Sequence, residues 1–135
     1  MLLDAQLTRA VIVPIAPSLL REGAVGAWAE FTGRVRAEED GRPIIALEYE
    51  AYESMAVKVL RELLESLGRR HAALGAWVIH RLGVIPVGEA AIWVGVATAH
   101  RGEAFALLAE FMDALKQDVP IWKRRPVFPA TPSAS

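Results

Sequence analysis

Two stretches of the chain repeat apolar residues at helical spacing, and short apolar runs flank them. From Ser54 to about Arg70, Ala56, Val59, Leu60, Leu63, Leu64 and Leu67 recur every three or four positions, which predicts a helix capped by Ser54. A second helix is predicted from Gly102 to about Gln117, with Pro120 just past its end, where proline commonly stops a helix. Strands are predicted over Gln6–Val13, Ala24–Thr32, Ile44–Tyr52, Ala76–Leu82 and Glu89–Thr98. In Ala24–Thr32, Val25, Ala27, Ala29 and Phe31 face one way and Trp28 and Glu30 the other. Glu89–Thr98 is almost continuously apolar, which predicts burial on both faces.

Punctuation between these runs is clear. Pro14 and Pro17 end the first strand, Ser18 caps a short helix to Glu22, and Gly23 closes it. Ala37–Pro43 reads as a charged turn, and Gly83–Gly88, with Pro86, as another turn. Strands and helices are mixed, with antiparallel neighbours expected, so the predicted class is α+β. One domain is expected over residues 1–125, followed by a flexible, Pro- and Ser-rich tail over 126–135. The predicted strands Ala24–Thr32 and Glu89–Thr98 leave room for an edge that a second copy would cover.

Composition narrows the possible functions. A chain of 135 residues, 53% hydrophobic and 23% charged, has enough material for one packed core. The net charge of −1 argues against a general nucleic-acid or membrane-surface binder, so any basic site is local. With no cysteine there is no disulfide framework and no thiolate ligand, and His71, His80 and His100 lack zinc spacing, so no metal and no cofactor is expected. No run reaches the ~18 apolar residues of a transmembrane helix. The stretch Ala10–Leu20 contains two prolines and lacks a small-x-small cleavage site, which favours an opening strand and short helix over a signal peptide and predicts a cytoplasmic protein.

Four basic elements are candidates for chemistry. His100 and Arg101 lie between a buried strand and a helix N-terminus, whose first N–H groups lack intrahelical partners and whose dipole favours anions. The bland alternative is a solvated turn. Lys116 either complements the end of its helix dipole or, at the edge of the stripe near Phe105 and Met112, reaches into a cleft. Lys123, Arg124 and Arg125 are either a solvated basic run or are held by a buried Trp122. Arg34 and Arg36 flank Val35 and point to one side, as an exposed hairpin end or as a two-pronged anion clamp. His80-Arg81, inside a strand, reads as structural, with one side chain in and one out. Gly23, Gly26 and Gly33 lack dinucleotide-binding spacing, and no serine elbow or carboxylate pair stands out.

The segments FTGRVR at Phe31–Arg36, LEYEAYESMA at Leu47–Ala56, VIHRLG at Val78–Gly83, VGVATAHR at Val94–Arg101 and LKQDVPIWKR at Leu115–Arg124 resemble, in order, the large catalytic subunit family of molybdopterin synthase. The resemblance implies an α/β hammerhead fold with an added antiparallel β subdomain. It implies a sulfurtransferase of molybdenum-cofactor biosynthesis that converts cyclic pyranopterin monophosphate to the molybdopterin dithiolene. Sulfur would come from the C-terminal Gly-Gly thiocarboxylate of a small ubiquitin-like partner, in a heterotetramer built on a central homodimer. Lys116 and Lys123 would be catalytic, and both would bind substrate together with Arg34, Val35, Arg36, His100, Arg101, Arg124 and Arg125. A lysine set among cations can serve as general acid, and cations stabilise charge that develops on oxygen. The absence of cysteine fits sulfur delivered in trans. The chain departs from the family in having Arg125 where an acid commonly follows the W-K-basic triplet, and in a tail unlike the longer, Trp-containing ends. The competing reading is a non-catalytic anion-binding scaffold of the same fold, which would have no need of two amines at one cleft.

Overall fold

The computed structural model describes residues 1–130 and contains nine strands, two α-helices and one 3₁₀ turn. The strands are β1 (Leu2–Thr8), β2 (Ala27–Arg34), β3 (Glu38–Glu39), β4 (Arg42–Pro43), β5 (Ala46–Ala51), β6 (Gly75–Arg81), β7 (Gly83–Pro86), β8 (Ala90–Thr98) and β9 (Ile121–Val127). The helices are α1 (Glu53–Arg70) and α2 (Arg101–Asp118), and the 3₁₀ turn is Ser18–Arg21. The main sheet has the order β1-β6-β8-β2, with β1 parallel to β6 and the other pairs antiparallel. A second, antiparallel sheet has the order β7-β5-β9, and β3 and β4 form a small hairpin. This is the α+β class read from the pattern, with the separate antiparallel β subdomain that the family resemblance implies.

Alternation along β6 and β8 decides where each layer packs. Ala76 and Val78 of β6, with Ile92, Val94 and Val96 of β8, meet Leu60 and Leu64 of α1 and Leu107 and Phe111 of α2 in the main core. Full burial of each of the larger side chains, from valine upward, contributes about 1.5–3 kcal/mol. The opposite face carries Trp77, Ile79 and Trp93, covered by Ile12 and Leu19 from the segment after β1. Trp28 stacks edge-on against Trp77 at 5.7 Å and tilted against Trp93 at 6.3 Å. Gly95 makes room for these indoles, since a Cβ there would lie 2.6 Å from Trp28.

Several boundaries differ from expectation, each for a reason in the pairing. β1 starts at Leu2 and not at Gln6, because its register is set against β6 from Leu2–Gly75 to Thr8–Arg81. Ser54 is not the α1 cap: Tyr52 holds that position with no side-chain cap bond, and its N–H donates to the Pro120 carbonyl as the chain leaves β5. Ser18 likewise opens the 3₁₀ turn behind Pro17 without capping it. The expected turn over Gly83–Gly88 begins with β7, a strand paired to β5. Pro126 and Val127, placed in the tail by composition, belong to β9 and pair with Leu47 and Ala46. Beyond them Arg42 lies 3.9 Å above the Phe128 ring. Residues 131–135 of the expected tail lie outside the described residues.

Candidate active site

A cavity of about 470 Å³ opens where the two sheets meet the C-terminal turns of α2. Arg34, Tyr49, His80, Lys116 and Lys123 supply its polar lining, over an apolar floor that includes Ile92 and Met112. Six elements, β2, β5, β6, β8, α2 and β9, therefore contribute to one site. Lys116 leaves the last turn of α2, where its stem follows the edge of the apolar stripe. The chain then turns at Pro120 and enters β9, where Lys123 pairs with Tyr49 of β5. The two amines thus converge on one cavity from an intervening turn of few residues. At the end of β2 a bulge between Gly33 and Arg34 turns the arginine toward the cavity, and its Nε donates to the Gly88 carbonyl at 2.8 Å.

Lys123 is not fixed by a buried tryptophan. Trp122 is 38% exposed and rests on Tyr52, with ring centroids 5.1 Å apart. The backbone pairing of β9 holds Lys123 in place, and its amine donates to Glu39 on the β3–β4 hairpin. Arg124 and Arg125 are not cavity residues. Arg124 bonds Glu50 at 2.8 Å and Arg125 bonds Glu48 at 2.8 Å, so both guanidinium groups are spent on carboxylates of the neighbouring strand β5. Val35 is 4% exposed, and its side chain packs with Ile44, Leu47 and Ile85 in the core of the small sheet. Arg36 is exposed and stands outside the cavity lining, so Arg34 and Arg36 do not form a two-pronged clamp around it.

His100 and Arg101 lie elsewhere on the chain. His100 is the N-cap residue of α2 and Arg101 its first residue, and both border a separate recess of about 560 Å³. The buried Thr98 hydroxyl donates to the His100 carbonyl at 2.6 Å and fixes this turn. Arg101 and Lys116 sit at opposite ends of α2, about 22 Å apart at 1.5 Å of rise per residue. A groove of about 680 Å³ between β2 and α2 joins these ends, lined by Trp28, Phe31, Phe105, Leu108 and Met112. β2 is an edge strand of the main sheet along this groove.

Sequence reasoning did not select Tyr49, His80 or Glu39. His80 and Arg81 are both buried, against the expected one-in, one-out pattern. His80 sits on the helix face, while Arg81 forms an ion pair with Glu89 at 2.8 Å. Burial raises the Tyr49 hydroxyl pKa above 10, opposed by the nearby Lys123 charge. Among the described residues no cluster of three His, Asp or Glu side chains is arranged to hold a metal, and no helix is long and apolar enough to cross a membrane.

The fold is an α+β domain whose cavity, at the junction of two sheets, is lined by two lysines and an arginine, a cationic site that suits an anion. The particular family follows from comparison: the family model described as "MoaE protein" matches residues 8–118, and the chain belongs to that family. A molybdopterin synthase catalytic subunit from Nostoc sp. is 38% identical over 108 residues, covering 79% of this chain and 66% of that protein. The chain spans 54% to 77% of the length of other curated relatives. The X-ray structure of molybdopterin synthase from Staphylococcus aureus aligns with a TM-score of 0.76 at 30% identity, over 90% of each chain. A complex of subunits 1 and 2 of molybdopterin-converting factor from Helicobacter pylori shares the fold, with a TM-score of 0.65 at 21% identity, over 96% of this chain and 92% of that one.

Proposed function

We propose that this chain is the catalytic subunit of a molybdopterin synthase. It would transfer sulfur from the C-terminal thiocarboxylate of a small ubiquitin-like partner to cyclic pyranopterin monophosphate, forming the dithiolene of molybdopterin. The carrying observation is the convergence of Lys116 and Lys123 on one cavity. The names of the Nostoc and Staphylococcus aureus relatives support the same reading, and the two-subunit Helicobacter pylori assembly is consistent with a second subunit as partner.

In this reading the cations serve the charge that moves during the reaction. Opening of the cyclic phosphate leaves negative charge on a phosphate oxygen. Two ammonium groups and the Arg34 guanidinium, preset at a half-enclosed cavity, stabilise that charge without reorganising. A lysine amine at the leaving oxygen also supplies a proton, the role of a general acid. The chain has no cysteine to carry sulfur, so the sulfur enters from the partner's C-terminus.

His100 and Arg101 enter the same site only if a second copy supplies them, because a small pterin cannot span the length of α2. The edge strand β2 and the groove beside it, with exposed Phe31 and Phe105, offer the surface for that dimer. Reconstitution tests the reading: with thiocarboxylated partner and precursor the chain forms dithiolene product, and without the partner it forms none. Product from the isolated chain in the absence of sulfide would overturn it.

A further inference from the structure

His80 is a buried titratable group that the reaction outlined above leaves unused. It is 4% exposed, yet it lines the cavity that holds Lys116 and Lys123. Its Nδ1 lies 2.8 Å from the Arg81 carbonyl oxygen. A carbonyl only accepts, so Nδ1 carries the proton of the neutral ring and Nε2 is left with its lone pair. The Tyr49 ring packs edge-on at 5.3 Å and fixes the plane of the imidazole. Nε2 has no protein partner among the described residues.

The rest of the polar lining is of opposite character. Lys116, Lys123 and Arg34 only donate hydrogen bonds, and the Tyr49 hydroxyl does either. A ligand held by its anionic group alone would turn about that anchor. An acceptor on another wall of the cavity fixes it when the ligand carries an N–H or O–H at the matching position. Burial keeps the imidazole pKa below its ordinary 6.5, against the raising effect of the Arg81 carbonyl, so the ring is neutral at pH 7.

We propose that His80 Nε2 is the acceptor subsite of this cavity, taking an N–H or O–H from the heterocycle of the ligand whose phosphate the lysines hold. The assignment rests on the pterin reading above and adds to it a residue that reads the ring rather than the charge. His80 is thus a specificity-determining residue: a phosphate without a donor-bearing ring gains nothing from it.

Calorimetric titration of the purified chain in complex with its small partner tests this, using cyclic pyranopterin monophosphate and inorganic phosphate as separate probes. His80→Phe keeps the ring volume and removes the acceptor, whereas His80→Gln keeps an amide oxygen near the Nε2 position. The expected result is a loss of precursor affinity of about 10- to 100-fold in His80→Phe. Phosphate binding should change less than about twofold, and His80→Gln should recover most of the loss. Nitrogen-15 NMR of the wild-type histidine gives a readout that does not depend on the variants folding. It should show a neutral ring protonated at Nδ1, with an Nε2 resonance that moves on adding precursor and not on adding phosphate. Wild-type precursor affinity in His80→Phe, an equal loss for both probes, or an Nε2 resonance indifferent to precursor would each overturn the proposal. Wild-type protein that binds phosphate but not precursor would overturn the pterin reading itself, and the acceptor assignment with it.

Discussion

Lys123 donates to both carboxylate oxygens of Glu39, at 3.1 and 3.4 Å, across 84 residues of sequence. Glu39 sits on the β3–β4 hairpin, whose turn places Asp40 and Gly41 at φ 50° and 77°. Asp tolerates this left-handed region and Gly adopts it freely. The hairpin thus brings a carboxylate to a lysine whose own strand continues with two further cations, Arg124 and Arg125. Glu39→Gln should lower kcat about three- to tenfold, equivalent to roughly 1 kcal/mol of barrier, with KM changed less than about twofold. Stability should stay within about 0.5 kcal/mol, because the pair is half exposed at Lys123. Steady-state kinetics with melting curves check this, and an unchanged kcat would show that the ion pair is only a surface contact.

Arg34 and Arg36 separate in this structure, and so should their variants. Arg34→Ala should weaken precursor binding by roughly 1.5–3 kcal/mol, the scale of a charged hydrogen bond. Arg36→Ala should cost less than about 0.5 kcal/mol unless a second copy brings this side chain to the site. Titration of both variants as dimers distinguishes the two cases.

The length of α2 makes a sharper prediction about assembly. If Arg101 of one copy serves the lysines of the other, Arg101→Ala and Lys116→Ala homodimers are both impaired, but a mixed dimer keeps one intact site. Co-purified mixed dimers should regain about half of the wild-type activity per dimer. No recovery would place Arg101 and Lys116 in separate roles. A fully active monomer by light scattering would remove the dimer from the mechanism.

Acid should loosen the contact between the helices. His71, which follows α1, pairs with Glu110 of α2 at 2.5 Å, and Arg70 bonds the same carboxylate. The His71 hydrogen bond, more than the Arg70 charge, holds the Glu110 carboxyl below its ordinary 4.5. A depressed carboxyl binds fewer protons folded than unfolded, so its stabilisation is present above pH 4.5 and is lost as pH falls through the folded value. Glu110→Gln should lower Tm slightly at pH 7 and flatten the fall of Tm below pH 4.5. Parallel Tm–pH curves for variant and wild type would contradict this.

Much of the fold was legible where the pattern is local. The helical stripes at Ala56–Leu67 and along α2, and the apolar run of β8, carry their periodicity in neighbouring residues, and the structure places them as read. β7 and β9 were not legible because partners distant in sequence make them strands. Gly83 and Pro86 mark a turn until β5 pairs with them, and Trp122–Arg125 is a basic run until Glu48 and Glu50 accept its arginines. The site follows the same division. Lys116, Lys123 and Arg34 announce themselves by type and position. His80 is one alternation step in a strand, and its place beside Lys116 depends on how α2 crosses the sheet, which periodicity does not encode.

The most direct measurement is single-turnover sulfur transfer by Lys116→Ala, Lys123→Ala and the matching Lys→Arg variants, with thiocarboxylated partner and precursor both bound. Each Ala variant should form dithiolene about 10²–10⁴ times more slowly than wild type, the range for a positioned proton donor, with Tm and partner affinity unchanged. Arginine should restore little, because guanidinium keeps the charge but does not readily give up a proton. Wild-type turnover in either Ala variant would remove that lysine from the chemistry, and wild-type turnover in both would contradict the catalytic reading of the cavity.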